Sequence, residues 1–116
     1  DTKGAGEATE KLLDLRRPPT CILYPDDFAA LGGIHVIRER GMSIPEDISI
    51  AGYDGLTFAR ILEPRLTTLC QDTETIGRLA AQKLIDLIEN PKTTIIDKFT
   101  VDGRLFPGAS VRNLAK

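Results

Sequence analysis

Thr20-Cys21-Ile22-Leu23-Tyr24-Pro25-Asp26-Asp27-Phe28-Ala29-Ala30-Leu31-Gly32 is the stretch on which the fold turns. Thr20–Tyr24 is a short apolar run without alternation, the pattern of a strand buried on both faces of a parallel sheet. Pro25 ends it, since proline donates nothing to a sheet ladder. Asp26 or Asp27 can then cap a helix, and a carboxylate there also suits the helix dipole. That helix is predicted to run to about Arg40, with Phe28, Leu31, Ile34 and Ile37 inward and Gly41 as its stop. Gly32-Gly33 falls inside the helix, where it permits close packing and cannot serve as a phosphate-cradling loop.

Upstream, Ala5, Ala8, Leu12 and Leu15 recur at helical spacing, predicting a helix over Gly4–Leu15 that Pro18-Pro19 stops. Downstream, Ser43–Asp47 reads as a loop and Ile48–Tyr53 as a second strand that Asp54-Gly55 turns out of. Leu56–Ile61 is expected as a short helix and Leu66–Cys70 as a third strand. Gln71-Asp72 leads into a helix from Thr73 to Glu89 whose apolar stripe is Ile76, Leu79, Ala80, Leu84, Leu87 and Ile88. A stripe of that length needs cover, either on the chain's own sheet or on a second copy. Thr93–Val101 and Arg104–Pro107 are rich in β-formers, and Asp102-Gly103 between them reads locally as a hairpin turn. Strands alternating with helices argue an α/β fold, a mostly parallel sheet flanked by helices.

The composition bounds the function. The 116 residues are one domain's worth or a piece of one. Hydrophobic residues at 41% and charged residues at 28% argue against disorder. A net charge of −2 provides no positive field for a nucleic-acid backbone. No apolar run approaches the roughly 18 residues of a membrane span. The start has neither a signal-peptide core nor a Met, so a piece of a longer chain is expected. Cys21 and Cys70 are expected as buried, reduced thiols, and His35, the sole histidine, sits in an apolar helical run. Neither a metal site nor a His-based triad is expected, and no cofactor.

In open parallel sheets, ligands bind beyond the carboxyl ends of the strands. That rule selects Asp26 and Asp27 after the first strand, Asp54 after the second, and Gln71 and Asp72 after the third. Carboxylates accept hydroxyl hydrogens and an amide both donates and accepts, so the set suits a neutral polyol. Each residue also has a plainer reading: Asp27 and Asp72 as helix caps, Asp54 as a turn residue. The same acidic pattern could belong to a phosphoacceptor receiver domain, but its spacing is too short and no Lys follows a later strand tip. The chain is too short for the cleft that paired glycosidase carboxylates need. No catalytic residue is expected.

Three strings carry a family resemblance. Pro19-Thr20-Cys21-Ile22 through Asp26-Asp27 to Ala30-Leu31-Gly32 is similar to the strand-to-helix segment of the lac/gal repressor family. Arg38-Glu39-Arg40-Gly41-Met42-Ser43-Ile44-Pro45-Glu46-Asp47-Ile48-Ser49-Ile50-Ala51-Gly52-Tyr53-Asp54 resembles that family's most diagnostic string. Pro64-Arg65-Leu66-Thr67-Thr68, Gln71 and Ile76-Gly77-Arg78-Leu79-Ala80-Ala81 continue the match in order, so the resemblance covers nearly the whole chain.

The resemblance implies the C-terminal part of a periplasmic-binding-protein-like effector domain, with 1–71 and 92–112 in its second subdomain. The helix 72–91 would then belong to the first subdomain. It implies a cytoplasmic, ligand-responsive transcription regulator that works as a homodimer and reaches operator DNA only through an N-terminal head outside this chain. Asp26, Asp54 and Gln71 fall on effector-contacting positions, the effector being a sugar or sugar derivative. The family commonly has Asn at the position of Asp26 and Arg at that of Gly108. Its pattern makes Thr93–Pro107 extended strand, the reading preferred here to the hairpin. A sugar-binding protein of a transport system shares the fold and is the alternative.

Overall fold

The structure, a computed structural model, describes residues 1–115. In chain order it contains α1 (Thr2–Leu13), β1 (Cys21–Leu23), α2 (Asp27–Glu39), β2 (Ser49–Asp54), a 3-10 turn (Thr57–Arg60), β3 (Thr67–Cys70), α3 (Thr73–Glu89) and β4 (Arg104–Phe106). Four strands form one sheet in the order β1-β2-β3-β4. The β1–β2 and β2–β3 pairs are parallel, with Ile22 opposite Ile50 and Gly52 opposite Thr68. The α/β class and the parallel pairing are those expected.

The chain divides into two compact units: Asp1–Cys70 together with the C-terminal residues from Leu105, and Gln71–Arg104. The first has the core. Ile22, Ile34, Ile37, Ile48, Ile50 and Leu66 are all buried there, and each large apolar side chain so placed contributes about 1.5–3 kcal/mol. The helix α1 starts earlier than its apolar pattern suggested, because the Asp1 carboxylate accepts the Gly4 amide at 2.7 Å and caps it. It lies against α2 at a close approach: a methyl on Gly32 would overlap the Thr2 carbonyl, and one on Gly33 the Tyr24 hydroxyl. That hydroxyl is paired with Thr9 Oγ1 at 2.7 Å in the buried space between α1 and the sheet.

Three expectations fail in this unit. Strand β1 is not buried on both faces: it lies at the sheet edge, with Cys21 exposed and Leu23 74% exposed. The apolar run reports a strand that could be covered twice, and no described residue supplies the second cover. Cys21 is therefore an exposed thiol, while Cys70 is half-buried; both are free. Phe28 does not point inward either. Positions 28, 31, 34 and 37 step by three, so each turns about 60° short of a full helical circuit. Ile34 and Ile37 stay in the core with Ala29, Ala30 and Val36, while Leu31 is half-buried and Phe28 is carried outside.

The C-terminal segment is sewn to the sheet by Ser110, which is fully buried. Its Oγ donates to the Ile50 carbonyl at 2.7 Å and accepts the Thr67 amide at 2.8 Å. The Ile50 amide donates to the Ser110 carbonyl at 2.9 Å. These bonds lie at the amino ends of β2 and β3.

In the second unit, α3 occupies Thr73–Glu89 as expected, capped by Asp72. Lys83 pairs with Asp97 at 3.1 Å and stands 5.3 Å from the Phe99 ring centroid. Thr94 Oγ1 donates to the Asp86 carbonyl at 2.9 Å. Even so, no residue of 71–104 is buried. Thr93–Val101 forms no strand, and Asp102-Gly103 no hairpin; only Arg104–Phe106 pairs into a sheet. A strand exists only as part of a ladder, and high β-propensity without a partner edge leaves an extended segment. Residues 92–104 are compact with α3 in this unit.

Candidate functional site

Because β1, β2 and β3 run parallel, their carboxyl ends share one edge of the first unit. Pro25-Asp26 leaves β1 there, and Asp54-Gly55 ends β2. Asp54 is in register with Cys70, the last residue of β3. The helix α2 begins at the same edge.

Asp26 is the residue that caps α2. Its Oδ1 accepts the Ala29 amide at 2.6 Å, which holds the half-buried carboxyl at the helix N-terminus. A carboxylate has a second oxygen for another donor, so the cap and a ligand contact are compatible. Asp27, read from the sequence as a cap or a tip group, is neither. It is the first residue of the helix and is fully buried, with Thr68 and Leu56 as its donors.

Asp54 has a φ of 112°, a value L residues rarely adopt. Strained backbone of this kind clusters where a side chain must be aimed. The next residue, Gly55, has a φ of 74°, and a side chain there would come within 2.5 Å of the Cys70 Cα. The turn therefore needs glycine for its angle and for its space. Asp54 is half-buried, and both Asp54 and Gln71 have interaction partners in the fold. Gln71 follows β3 directly in the chain and is the first residue of the second unit. Asp72 belongs to α3 as its cap: Oδ1 accepts the Thr75 amide at 3.0 Å and Oδ2 the Thr75 hydroxyl at 2.7 Å. Those two bonds hold its carboxyl below the usual carboxylate range.

Sequence reasoning missed the aromatic pair at this edge. Phe28, 56% exposed, lies against half-buried Phe58 with ring centroids 5.2 Å apart and planes tilted by 49°. Each follows a selected aspartate by a few residues. Its sequence signal is an aromatic directly after a capping Asp, masked by the helical spacing that marks Phe28 as core. An apolar ring surface beside carboxylates is the composition of a small-molecule site, where apolar area binds and a few polar groups orient.

The edge is open. A cavity of about 470 Å³ between α1 and α2 lies elsewhere in the first unit, and one of about 280 Å³ between α1 and β1 reaches the edge only at Pro25. One of about 360 Å³ lies within the second, between α3 and residues 97–101. Among the described residues no group of three His, Cys, Asp or Glu side chains could hold a metal ion, and no helix is long and apolar enough to cross a membrane.

Residues 1–111 match the periplasmic binding protein-like domain. A probable transcriptional repressor of Bacillus subtilis, ExuR, is 39% identical over 93 residues, covering 80% of this chain and 28% of the repressor. A LacI family regulator from Enterococcus faecium, solved with bound ribose, superposes with a TM-score of 0.88 at 30% identity, over 99% of this chain and 42% of its own. A LacI family regulator from Arthrobacter, in complex with lactose, gives 0.82 at 27% identity, over 96% and 42%. The chain thus spans about a quarter to two-fifths of the proteins it matches.

Proposed function

The chain belongs to the periplasmic binding protein-like domain family, in its lac/gal-repressor branch, and from that premise we propose that it forms one wall of the effector site of a sugar-responsive transcription regulator. In this reading Asp26 and Asp54 accept hydroxyl hydrogens of a sugar or sugar derivative, and Gln71 adds an amide that donates and accepts. The Phe28–Phe58 surface supplies apolar contact beside them. The strained Asp54, at the carboxyl edge of a parallel sheet, is the observation that carries the proposal.

The whole regulator acts by population shift. A sugar bound between two subdomains favours one closure state, and a ligand moves such an equilibrium only by its difference in affinity for the two states. In a homodimer that state sets the spacing of two DNA-binding heads and so their fit to two operator half-sites. The protein is non-enzymatic and cytoplasmic. Relatives described as repressors favour this reading over a transport protein of the same fold.

A thermal-shift screen of the whole regulator against a sugar library tests it. A specific sugar at a hundred times its Kd stabilises the native state by about 2.7 kcal/mol. A library of pentoses, hexoses and disaccharides, ribose and lactose among them, that leaves the melting temperature unmoved would sink the proposal.

A further inference from the structure

Asp27 is fully buried yet lies one residue from the ligand-facing edge. A buried carboxylate is tolerated only when hydrogen bonds replace its water, and here both oxygens are occupied. Oδ1 accepts the Thr68 hydroxyl at 2.7 Å, from the middle of β3. Oδ2 accepts the Leu56 amide at 2.8 Å, from the segment leaving β2. The Thr68 oxygen in turn accepts the Gly55 amide at 3.2 Å. Gly52 of β2 packs so closely that a methyl there would overlap Asp27 Oδ1. The start of α2 is also where the helix dipole favours a negative group.

These bonds share one target. The two amides they hold, Gly55 and Leu56, are the two that follow Asp54. A residue kept at a φ of 112° persists only if its surroundings over-determine it. We infer that Asp27, with Thr68, is the positioning residue of the Asp54 turn: it touches no effector, but locks the backbone that aims the Asp54 carboxylate. The role rests on the reading of Asp54 as an effector contact; the lock itself is a property of the sugar-free chain. Asp26 and Asp27 then divide two tasks between adjacent carboxylates, one facing the edge and one tying three elements together beneath it.

Amide hydrogen exchange on the sugar-free chain, followed by NMR, tests the lock. Thr68→Val keeps the shape of the side chain and removes the hydroxyl. It should speed exchange at Gly55 by about tenfold, the loss of one hydrogen bond's worth of local protection, and at Leu56 by a smaller factor. The amides of Ile37 and Ile50 should keep their rates. Thr68→Ser, which retains the oxygen, should restore the Gly55 rate. Asp27→Asn, left with one acceptor for two donors, should loosen the same two amides. Unchanged exchange at Gly55 and Leu56 in both the Val and Asn variants would overturn the inference. So would a uniform acceleration across α2 and the sheet, which would make the network a general part of the core. Because no sugar is present, a failure to find sugar binding would count against the effector site and leave this result standing.

Discussion

Asp1–Cys70 and Gln71–Arg104 carry similarly amphipathic helices, yet they handle them in opposite ways. The helix α2 has eight buried residues, enclosed between α1 and the sheet; the longer helix α3 has none. In the second unit Leu84, Ile88, Ile95, Ile96 and Phe99 are all exposed. An amphipathic stripe specifies which face wants cover. It does not say that the cover lies within the same chain.

The sharpest way to break this contrast is by truncation. Leu66→Ala, deep in the first unit, should cost about 2–5 kcal/mol, whereas Leu84→Ala on α3 should stay within about 0.5 kcal/mol. Urea unfolding followed by circular dichroism would measure both. Comparable losses would mean that α3 is packed in solution, as it would be against a second copy, and light scattering on Leu84→Asp would then show whether dimers are lost.

A smaller effect is expected at the caps. Asp26→Ala should destabilise the chain by about 1 kcal/mol. Asp26→Asn, an equally good cap, should hold that stability while changing which sugars bind the whole regulator, since the amide donates where the carboxylate only accepts. An unaltered sugar profile would reduce Asp26 to a cap alone.

The smallest effects should come with pH, and at opposite ends for the two units. Burial pushes the Tyr24 hydroxyl above its ordinary value, with the Thr9 hydrogen bond opposing. Its folded value is raised, so its stabilisation is full below the unfolded value and is lost as pH rises through the folded one. Core unfolding should therefore become easier at alkaline pH, and Tyr24→Phe should flatten that dependence. Asp72 behaves in reverse. Its folded value is depressed by Thr75, so its support for α3 is present above the unfolded value and lost as pH falls through the folded one. Helical ellipticity that ignores acid, or an alkaline limb untouched in Tyr24→Phe, would remove these assignments.

Local signals made much of this legible. Thr73–Glu89 was bounded by a capping Asp72 and a following Pro91, and the three parallel-sheet strands by Pro, Gly and Asp. Strand alternation with helices was enough for the fold class. The failures needed information from far along the chain. Nothing near Asp27 distinguishes it from Asp26, because its donors Leu56 and Thr68 are 29 and 41 residues away. Phe28 resembles a core residue because a step of three approximates a helical face. Thr93–Val101 has the propensity of a strand, but propensity carries no knowledge of an edge to pair with. Of the expected tip residues, the parallel register puts Asp54 and Asp26 at one edge, and strain at Asp54 could not be seen before the backbone was.

On the proposed reading, this edge binds a sugar through Asp54. Calorimetric titration of the whole regulator and its Asp54→Ala variant, using the sugar that most raises the melting temperature, tests it most directly. Loss of a charged acceptor should weaken binding by about 1.5–3 kcal/mol, roughly ten- to a hundredfold, with operator binding intact. Equal affinity for that sugar in the two proteins would rule out Asp54 as an effector contact.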